Sequence, residues 1–221
     1  MIVNQYNKLV NISIEDVNLE GQLTIPEHAE SLVIFSHGSG SSRFSPRNNF
    51  VANILHENGI GTFLLDLLTK EEDEIYSNRF NIDLLSERLV IATKYLSTIK
   101  QASVLDFGYF GASTGAASAL KAAAELHTLI HSVVSRGGRP DLAMDVLPLV
   151  KSPTLLIVGE LDTTVLELNK KAFDKLQCTK KLKVIKGATH LFEEPGTLEM
   201  VAKIATEWFN KTLEPVRMQI H

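Results

Sequence analysis

The run Gly111-Ala112-Ser113-Thr114-Gly115 places a serine between two glycines at the spacing G-x-S-x-G. The residues before it, DFGYF, are apolar and aromatic like a buried strand, and those after it are rich in alanine like a helix. A sharp turn from strand to helix exposes the serine hydroxyl, and flanking glycines remove side chains that would collide in that turn. The spacing therefore predicts that Ser113 is a nucleophile for acyl transfer.

Other glycine-rich motifs fit this stretch poorly. A dinucleotide-binding fingerprint would require glycine where the chain has Ser113 and Ala116, and the run required for a Walker phosphate loop does not occur here. A turn of small residues that only packs a helix on a strand is the alternative to catalysis. On this motif alone, that alternative stays open.

A serine nucleophile needs a general base, and the base needs an orienting carboxylate. In such a sheet both should follow later strands, in the order serine, acid, histidine. The apolar segment PTLLIVG runs into Glu160-Leu161-Asp162, and LKVIKG runs into Ala188-Thr189-His190. We predict His190 as the base and Asp162 as the carboxylate. Glu160 is the rival acid, and Asp141 is the next candidate if neither residue matters.

The segment His37-Gly38-Ser39-Gly40 follows the first central strand and is a candidate oxyanion loop. Backbone N–H groups in such a loop stabilise the negative charge that develops during acyl transfer. We expect the Thr114 N–H to be one donor and the Ser39 N–H to be the second, with Gly38 as its rival. The alternative is a flexible polar loop.

Three arginines are expected near the same edge of the sheet. Arg136 follows the strand HSVVS, and Arg43 and Arg47 lie in the loop on the oxyanion side. Guanidinium groups bind carboxylates and phosphates through paired hydrogen bonds, so Arg43 and Arg136 are our candidate substrate-binding residues. The alternative is that they form ion pairs or brace the loops against Asp66 or Asp141.

The surrounding pattern predicts the frame that positions these residues. Alternating segments at 10–16 and 19–25 indicate an opening antiparallel strand pair. From residue 31 onward apolar strands alternate with helical segments, which indicates a mostly parallel sheet covered by helices on both faces, in one domain spanning 1–221. Helices are expected at 49–57, 82–99, 164–176 and 198–209, after the serine, and as one short segment at 141–150. No long insertion precedes PTLLIVG, so we expect an open, small site without a lid domain.

With these pieces in place, the chain resembles the α/β-hydrolases, and within that fold the dienelactone hydrolase family. The resemblance rests on SHGSG, GASTGA, VGELDTTV and KGATHLFEEPG in that order. It implies the α/β-hydrolase fold, with Ser113 as nucleophile, His190 as base, Asp162 as acid and Thr114 as an oxyanion donor. It also extends to small hydrolases found alone or attached to phosphoribosyltransferase-like domains.

The nucleophile departs from the family pattern. The namesake enzymes carry cysteine there, whereas this chain has Ser113, and its single cysteine, Cys178, follows a predicted helix. The serine favours general hydrolysis of small esters, lactones or thioesters over dienelactone activity. An acyl- or peroxy-transferase with the same triad, or a binding module that has lost turnover, are the alternatives.

Composition limits the classes of binding partner and the cellular location that we expect. A net charge of −4 gives no reason to expect nucleic acid or acidic membranes. A single cysteine suits a reducing compartment, and the first residues lack the pattern of a signal peptide, so we expect a cytoplasmic location. We expect a small ester or lactone as partner, with no metal and no cofactor, and a homodimer is compatible with the sequence.

Overall fold

The computed structural model describes residues 6–14 and 16–213, which form one eight-stranded sheet. The strand order is β1-β2-β4-β3-β5-β6-β7-β8, and all pairs from β4 to β8 are parallel. The ends of the predicted domain, 1–5 and 214–221, lie outside the described residues. The strands are β1 (Tyr6–Ile14), β2 (Val17–Ile25), β3 (Ser31–Ser36), β4 (Gly61–Leu65), β5 (Asp106–Ala112), β6 (Ile130–Arg136), β7 (Thr154–Gly159) and β8 (Lys180–Ile185).

The predicted antiparallel opening is confirmed. Strands β1 and β2 form a hairpin in register from Ile14 opposite Val17 to Tyr6 opposite Ile25, and β2 pairs antiparallel with β4. Alternate residues of the hairpin, including Ile12 and Leu23, are buried in the core. This alternation is what a half-covered sheet edge requires.

Five of the six α-helices in the described residues, all except the short α2, pack apolar side chains against the sheet, and together they cover both of its faces. Apolar residues of α3, α4 and α5 share one core cluster with the hairpin, and those of α1 and α6 share the cluster on the opposite face. The helices are α1 (Pro46–Glu57), α2 (Lys70–Glu74), α3 (Ile82–Leu96), α4 (Thr114–Glu125), α5 (Thr163–Lys175) and α6 (Thr197–Thr212). No helix in the described part of the chain combines the length and the apolar character needed to cross a membrane.

Two segments differ from the sequence-based expectation. The predicted helix at 141–150 is instead two 3-10 turns, Pro140–Ala143 and Leu147–Leu149, each with a proline in its first turn. The charged loop after β4 contains α2, which begins with a capping box in which Thr69 and Glu72 satisfy each other's backbone N–H groups. The two 3-10 turns are the helical segments of the connection from β6 to β7, which is too short to form a lid.

The parallel strands determine where polar residues gather. Because β3, β5, β6, β7 and β8 all run in the same direction, the loops after their carboxyl ends meet at one edge of the sheet. These loops carry His37, Ser113, Asp162 and His190, while Arg136 is the last residue of β6.

Candidate active site

Ser113 occupies the sharp turn between β5 and α4. Its backbone angles are φ 53° and ψ −124°, a region that non-glycine residues rarely adopt. Hydrogen bonds fix this turn on both sides: the Ser113 N–H donates to the Arg136 carbonyl at 3.2 Å, and its own carbonyl accepts from Arg139 N–H at 3.0 Å. The hydroxyl therefore projects from a rigid position at the N-terminus of a helix.

Both glycines of the motif lie where a side chain would collide with backbone, as predicted. A Cβ atom on Gly111 would lie 2.5 Å from the Cα of Ala116 in α4. A Cβ atom on Gly115 would overlap the Ser36 carbonyl and lie 2.6 Å from that of His37. Each glycine thus makes room for neighbouring backbone, which at Gly111 includes the Gly115 carbonyl at 2.7 Å. Gly115 lets α4 pack directly against the end of β3.

His190 and Asp162 are brought together by the loops after β8 and β7. The Nδ1 of His190 donates to the Oδ2 of Asp162 at 2.6 Å. The His190 side chain is 38% exposed and that of Asp162 only 14%, so the imidazole faces the surface with the carboxylate behind it. A Cβ on Gly159 would overlap the Ala188 carbonyl, so glycine at this position permits the close approach of the two loops.

The rival acids are engaged elsewhere. Glu160 accepts a hydrogen bond from the Gly187 N–H at 2.9 Å. Asp141 forms a bidentate pair with Arg139, with both distances 2.8 Å. Of the three candidate carboxylates, only Asp162 contacts the histidine.

Ser113 and His190 line one cavity of about 190 Å³ at the carboxyl edge of the sheet. Its other lining residues include Ser41, Ser45 and Arg47. The volume is below the range of about 300–1,000 Å³ typical of sites for drug-sized ligands. The site therefore suits a small substrate.

The predicted oxyanion loop lies against the serine, but one of its donors is occupied. A Cβ on Gly38 would lie 3.0 Å from the Ser113 Cβ, which places this backbone beside the nucleophile. The Ser39 N–H donates to the Thr114 hydroxyl at 2.9 Å. It is therefore already engaged, whereas the sequence predicts it as a free oxyanion donor. Thr114 itself begins α4, where first-turn N–H groups lack intrahelical partners.

His37 holds this loop in place. It is buried, its Nδ1 lies 3.0 Å from the Gly38 carbonyl, and its Nε2 accepts from the Leu67 N–H at 3.1 Å. Burial lowers the pKa of His37, which keeps the ring neutral and suited to both contacts. His37 therefore links the loop after β3 to the loop after β4.

The structure places the two candidate substrate-binding arginines, Arg43 and Arg136, in different surroundings. Arg43 pairs with Asp66 and, at 2.6 Å, with Glu20, which favours the alternative in which it braces the loops, and it does not line the cavity of Ser113 and His190. Arg136 lines the cavity and is 7% exposed. Arg47, which we had not chosen, lines the cavity as well. The Ser-Pro pair at 45–46, typical of a helix start, could have indicated that Arg47 lies in the first turn of α1.

Among the described residues, no group of three or more His, Cys, Asp or Glu side chains is placed to hold a metal ion.

Comparison with known proteins identifies the family of the chain. A model of the dienelactone hydrolase family matches residues 26–218. Putative phosphoribosyl transferases from two strains of Mycobacterium tuberculosis are each 54% identical over 193 residues, which cover 87% of this chain and 44% of theirs. The chain thus spans less than half the length of these curated relatives.

Solved structures give the same result. Dienelactone hydrolase from Anabaena variabilis has a TM-score of 0.92 and 51% identity, covering 95% of this chain and 99% of that one. Est1E from Butyrivibrio proteoclasticus has a TM-score of 0.80 at 17% identity, covering 92% and 98%, a likeness of fold alone. With the elbow serine, the His–Asp pair and the matched family model together, the chain belongs to the dienelactone hydrolase family, the ester-cleaving hydrolases of the α/β-hydrolase fold.

Proposed function

We propose that this chain hydrolyses small carboxylic esters, lactones or thioesters through an acyl-enzyme formed on Ser113. The observation that carries the proposal is the placement of a strained serine at a helix N-terminus, in the same cavity as a histidine that is hydrogen bonded to a carboxylate. Each of these groups has a defined part in serine-based acyl transfer.

In the proposed reaction His190 Nε2 accepts the Ser113 hydroxyl proton as the oxygen attacks the substrate carbonyl. Asp162 holds Nδ1–H, which fixes the tautomer and stabilises the imidazolium that forms. The Thr114 N–H stabilises the oxyanion, and the N–H of Gly38, whose backbone lies beside the Ser113 Cβ, is the second donor. His190 then returns its proton to the leaving alcohol or thiol, and water deacylates Ser113 by the same route.

The test is labelling with a fluorophosphonate probe, combined with turnover of short-chain esters and lactones. The wild-type protein should be labelled and active, and Ser113→Ala should lose both while keeping its circular dichroism spectrum and melting temperature close to wild type. Retained labelling in folded Ser113→Ala would rule out this serine.

Cys178 provides the matched control for the thiol chemistry of the family's namesakes. Its Sγ lies 3.7 Å from the Thr154 hydroxyl, and it does not line the cavity of Ser113 and His190. Cys178→Ala should therefore keep full labelling and turnover, and a large loss of turnover in the folded variant would argue for a thiol nucleophile.

A further inference from the structure

Arg136 presents a buried cation without a counter-charge in the candidate active site. Its side chain lines the cavity beside Ser113 and His190, and no carboxylate lies within 4 Å of the guanidinium in the ranges 6–14 and 16–213. Its Nη2 reaches the Asn48 Oδ1 only at a long 3.4 Å, and its buried Nε has no hydrogen-bond partner. Its Cζ lies 5.9 Å from the ring centroid of Phe192.

Such a group is unfavourable unless something pairs with it. Taking an ion out of water is costly, and a distant aromatic ring with one long hydrogen bond offsets only part of that cost. Burial, and secondarily the charge of Arg47, lower the pKa of Arg136 to about 10. The guanidinium is therefore still cationic at pH 7, and a buried cation that lines a cavity without a counter-charge indicates an anionic ligand.

A second positive element converges on the same space. Arg47 lines the cavity and is the second residue of α1, a twelve-residue helix with Ser45 at its N-cap. Helix N-termini attract anions through their free N–H groups and dipole. Arg47 also reaches Glu193 at 3.2 Å, but that carboxylate is 65% exposed, so the pair is worth little and leaves the arginine available.

Charge balance selects the kind of anion. The two guanidinium groups and the helix end face a cavity with no carboxylate among its described lining residues, and Asp162, behind His190, is already bound to that histidine. A substrate carboxylate would supply one negative charge, whereas a phosphate monoester supplies about −1.5 to −2 at pH 7 and three acceptor oxygens. The hydroxyls of Ser41 and Ser45 at the cavity wall add donors for those oxygens.

We propose that Arg136, Arg47 and the N-terminus of α1 bind a phosphate monoester group of the substrate, so that the ester cleaved at Ser113 belongs to a small phosphorylated molecule. The cleavage rests on the hydrolase function proposed above, whereas phosphate binding does not. The two parts can therefore be tested separately.

Binding is tested by calorimetry on the Ser113→Ala protein at constant ionic strength, with inorganic phosphate and acetate as probes. Phosphate should bind at least tenfold more tightly than acetate, and Arg136→Gln should weaken phosphate binding at least tenfold. Arg139→Gln, three residues further on and paired with Asp141, is the matched control and should bind phosphate as before. If Arg136→Gln does not fold, Arg47→Gln carries the test with the same expected direction. Equal affinity for acetate would overturn the phosphate assignment, and unchanged phosphate binding in the folded arginine variant would overturn the site.

Cleavage is tested with three acetyl esters that differ in one group: those of glycerol 3-phosphate, glyceric acid and glycerol. The wild-type kcat/KM should be at least tenfold higher for the phosphorylated ester than for either of the others, and Arg136→Gln should reduce that ratio. If no ester is cleaved although phosphate binds through Arg136, the hydrolase function fails and the anion site stands. If esters are cleaved without preference for the phosphorylated one, the substrate assignment fails and the hydrolase function stands.

Discussion

The Nδ1 of His190 lies 2.6 Å from the Oδ2 of Asp162, whereas Glu160, two residues earlier, accepts its hydrogen bond from Gly187. Two carboxylates at the end of one strand thus have different partners. The difference gives a direct way to separate their roles in the proposed mechanism.

Replacement of Asp162 by asparagine should lower kcat by about a thousandfold or more, because the amide cannot fix the reactive histidine tautomer or stabilise the imidazolium. Glu160→Gln removes a charge from the same loop without touching His190, and its kcat should stay within a few-fold of wild type. Steady-state kinetics on one activated ester decide between them. A larger loss in Glu160→Gln would reverse the acid assignment.

The Thr114 hydroxyl should act as a positioning group through its hydrogen bond from the Ser39 N–H. Thr114→Val removes the acceptor and releases the loop, so kcat should fall about tenfold or more while KM changes little. Thr114→Ser keeps the hydroxyl and should restore most of the rate. If the threonine merely occupied a donor that the oxyanion needs, Thr114→Val would instead be faster than wild type.

Gly159 should be required for the approach of the His190 loop. An added methyl group would overlap the Ala188 carbonyl and lie 2.6 Å from that of Thr189, so Gly159→Ala should push the histidine away and lower both stability and kcat. Gly187→Ala is the matched control, because this glycine has φ +69° but no atom within 4 Å of an added Cβ. It should lose about 1–2 kcal/mol of stability with kcat retained. Equal losses of kcat in the two variants would contradict this interpretation.

His56 should make stability fall on acidification. Burial lowers its pKa from 6.5 to about 4, and its Nε2 lies 2.7 Å from the Thr62 hydroxyl. Between pH 6.5 and 4 the unfolded chain binds a proton that the folded chain does not, so stability is complete above this window and is lost as pH falls through it. The denaturant concentration at the unfolding midpoint should fall between pH 7.5 and pH 4.5, and this fall should be larger for wild type than for His56→Gln. The same drop in both proteins would exclude a contribution from His56.

The sequence was sufficient to predict the positions of those candidate site residues that follow from strand order. Ser113, Asp162 and His190 each come just after a strand that could be recognised as apolar, and parallel strands bring such positions to one edge. Which distant residues pair could not be decided in this way, and Asp66 was only one of two alternative partners for the arginines. Arg43 and Arg47 look equivalent in the sequence, and only the folded chain brings Asp66 and Glu20 to the first while leaving the second in the cavity.

The same limit applies to the backbone donors. Local sequence placed Ser39 in a loop beside the nucleophile, but the hydroxyl that accepts its N–H belongs to a residue 75 positions away.

The short helix α2 could have been predicted, because Thr69 and Glu72 have the spacing of a capping box. The charged composition around it suggested a loop instead.

The backbone conformation of Ser113 bears on whether the chain is an enzyme or a binding module that has lost turnover. Holding a side chain at φ 53°, ψ −124° costs about 1–3 kcal/mol, while glycine would adopt the same angles at an entropic penalty of about 0.5–1 kcal/mol. Exchange of Ser113 for glycine would relieve this strain. Serine at this position therefore lowers the stability of the fold while it places a hydroxyl in the cavity. Chemical denaturation should accordingly find Ser113→Gly more stable than Ser113→Ala, although both lack the nucleophile.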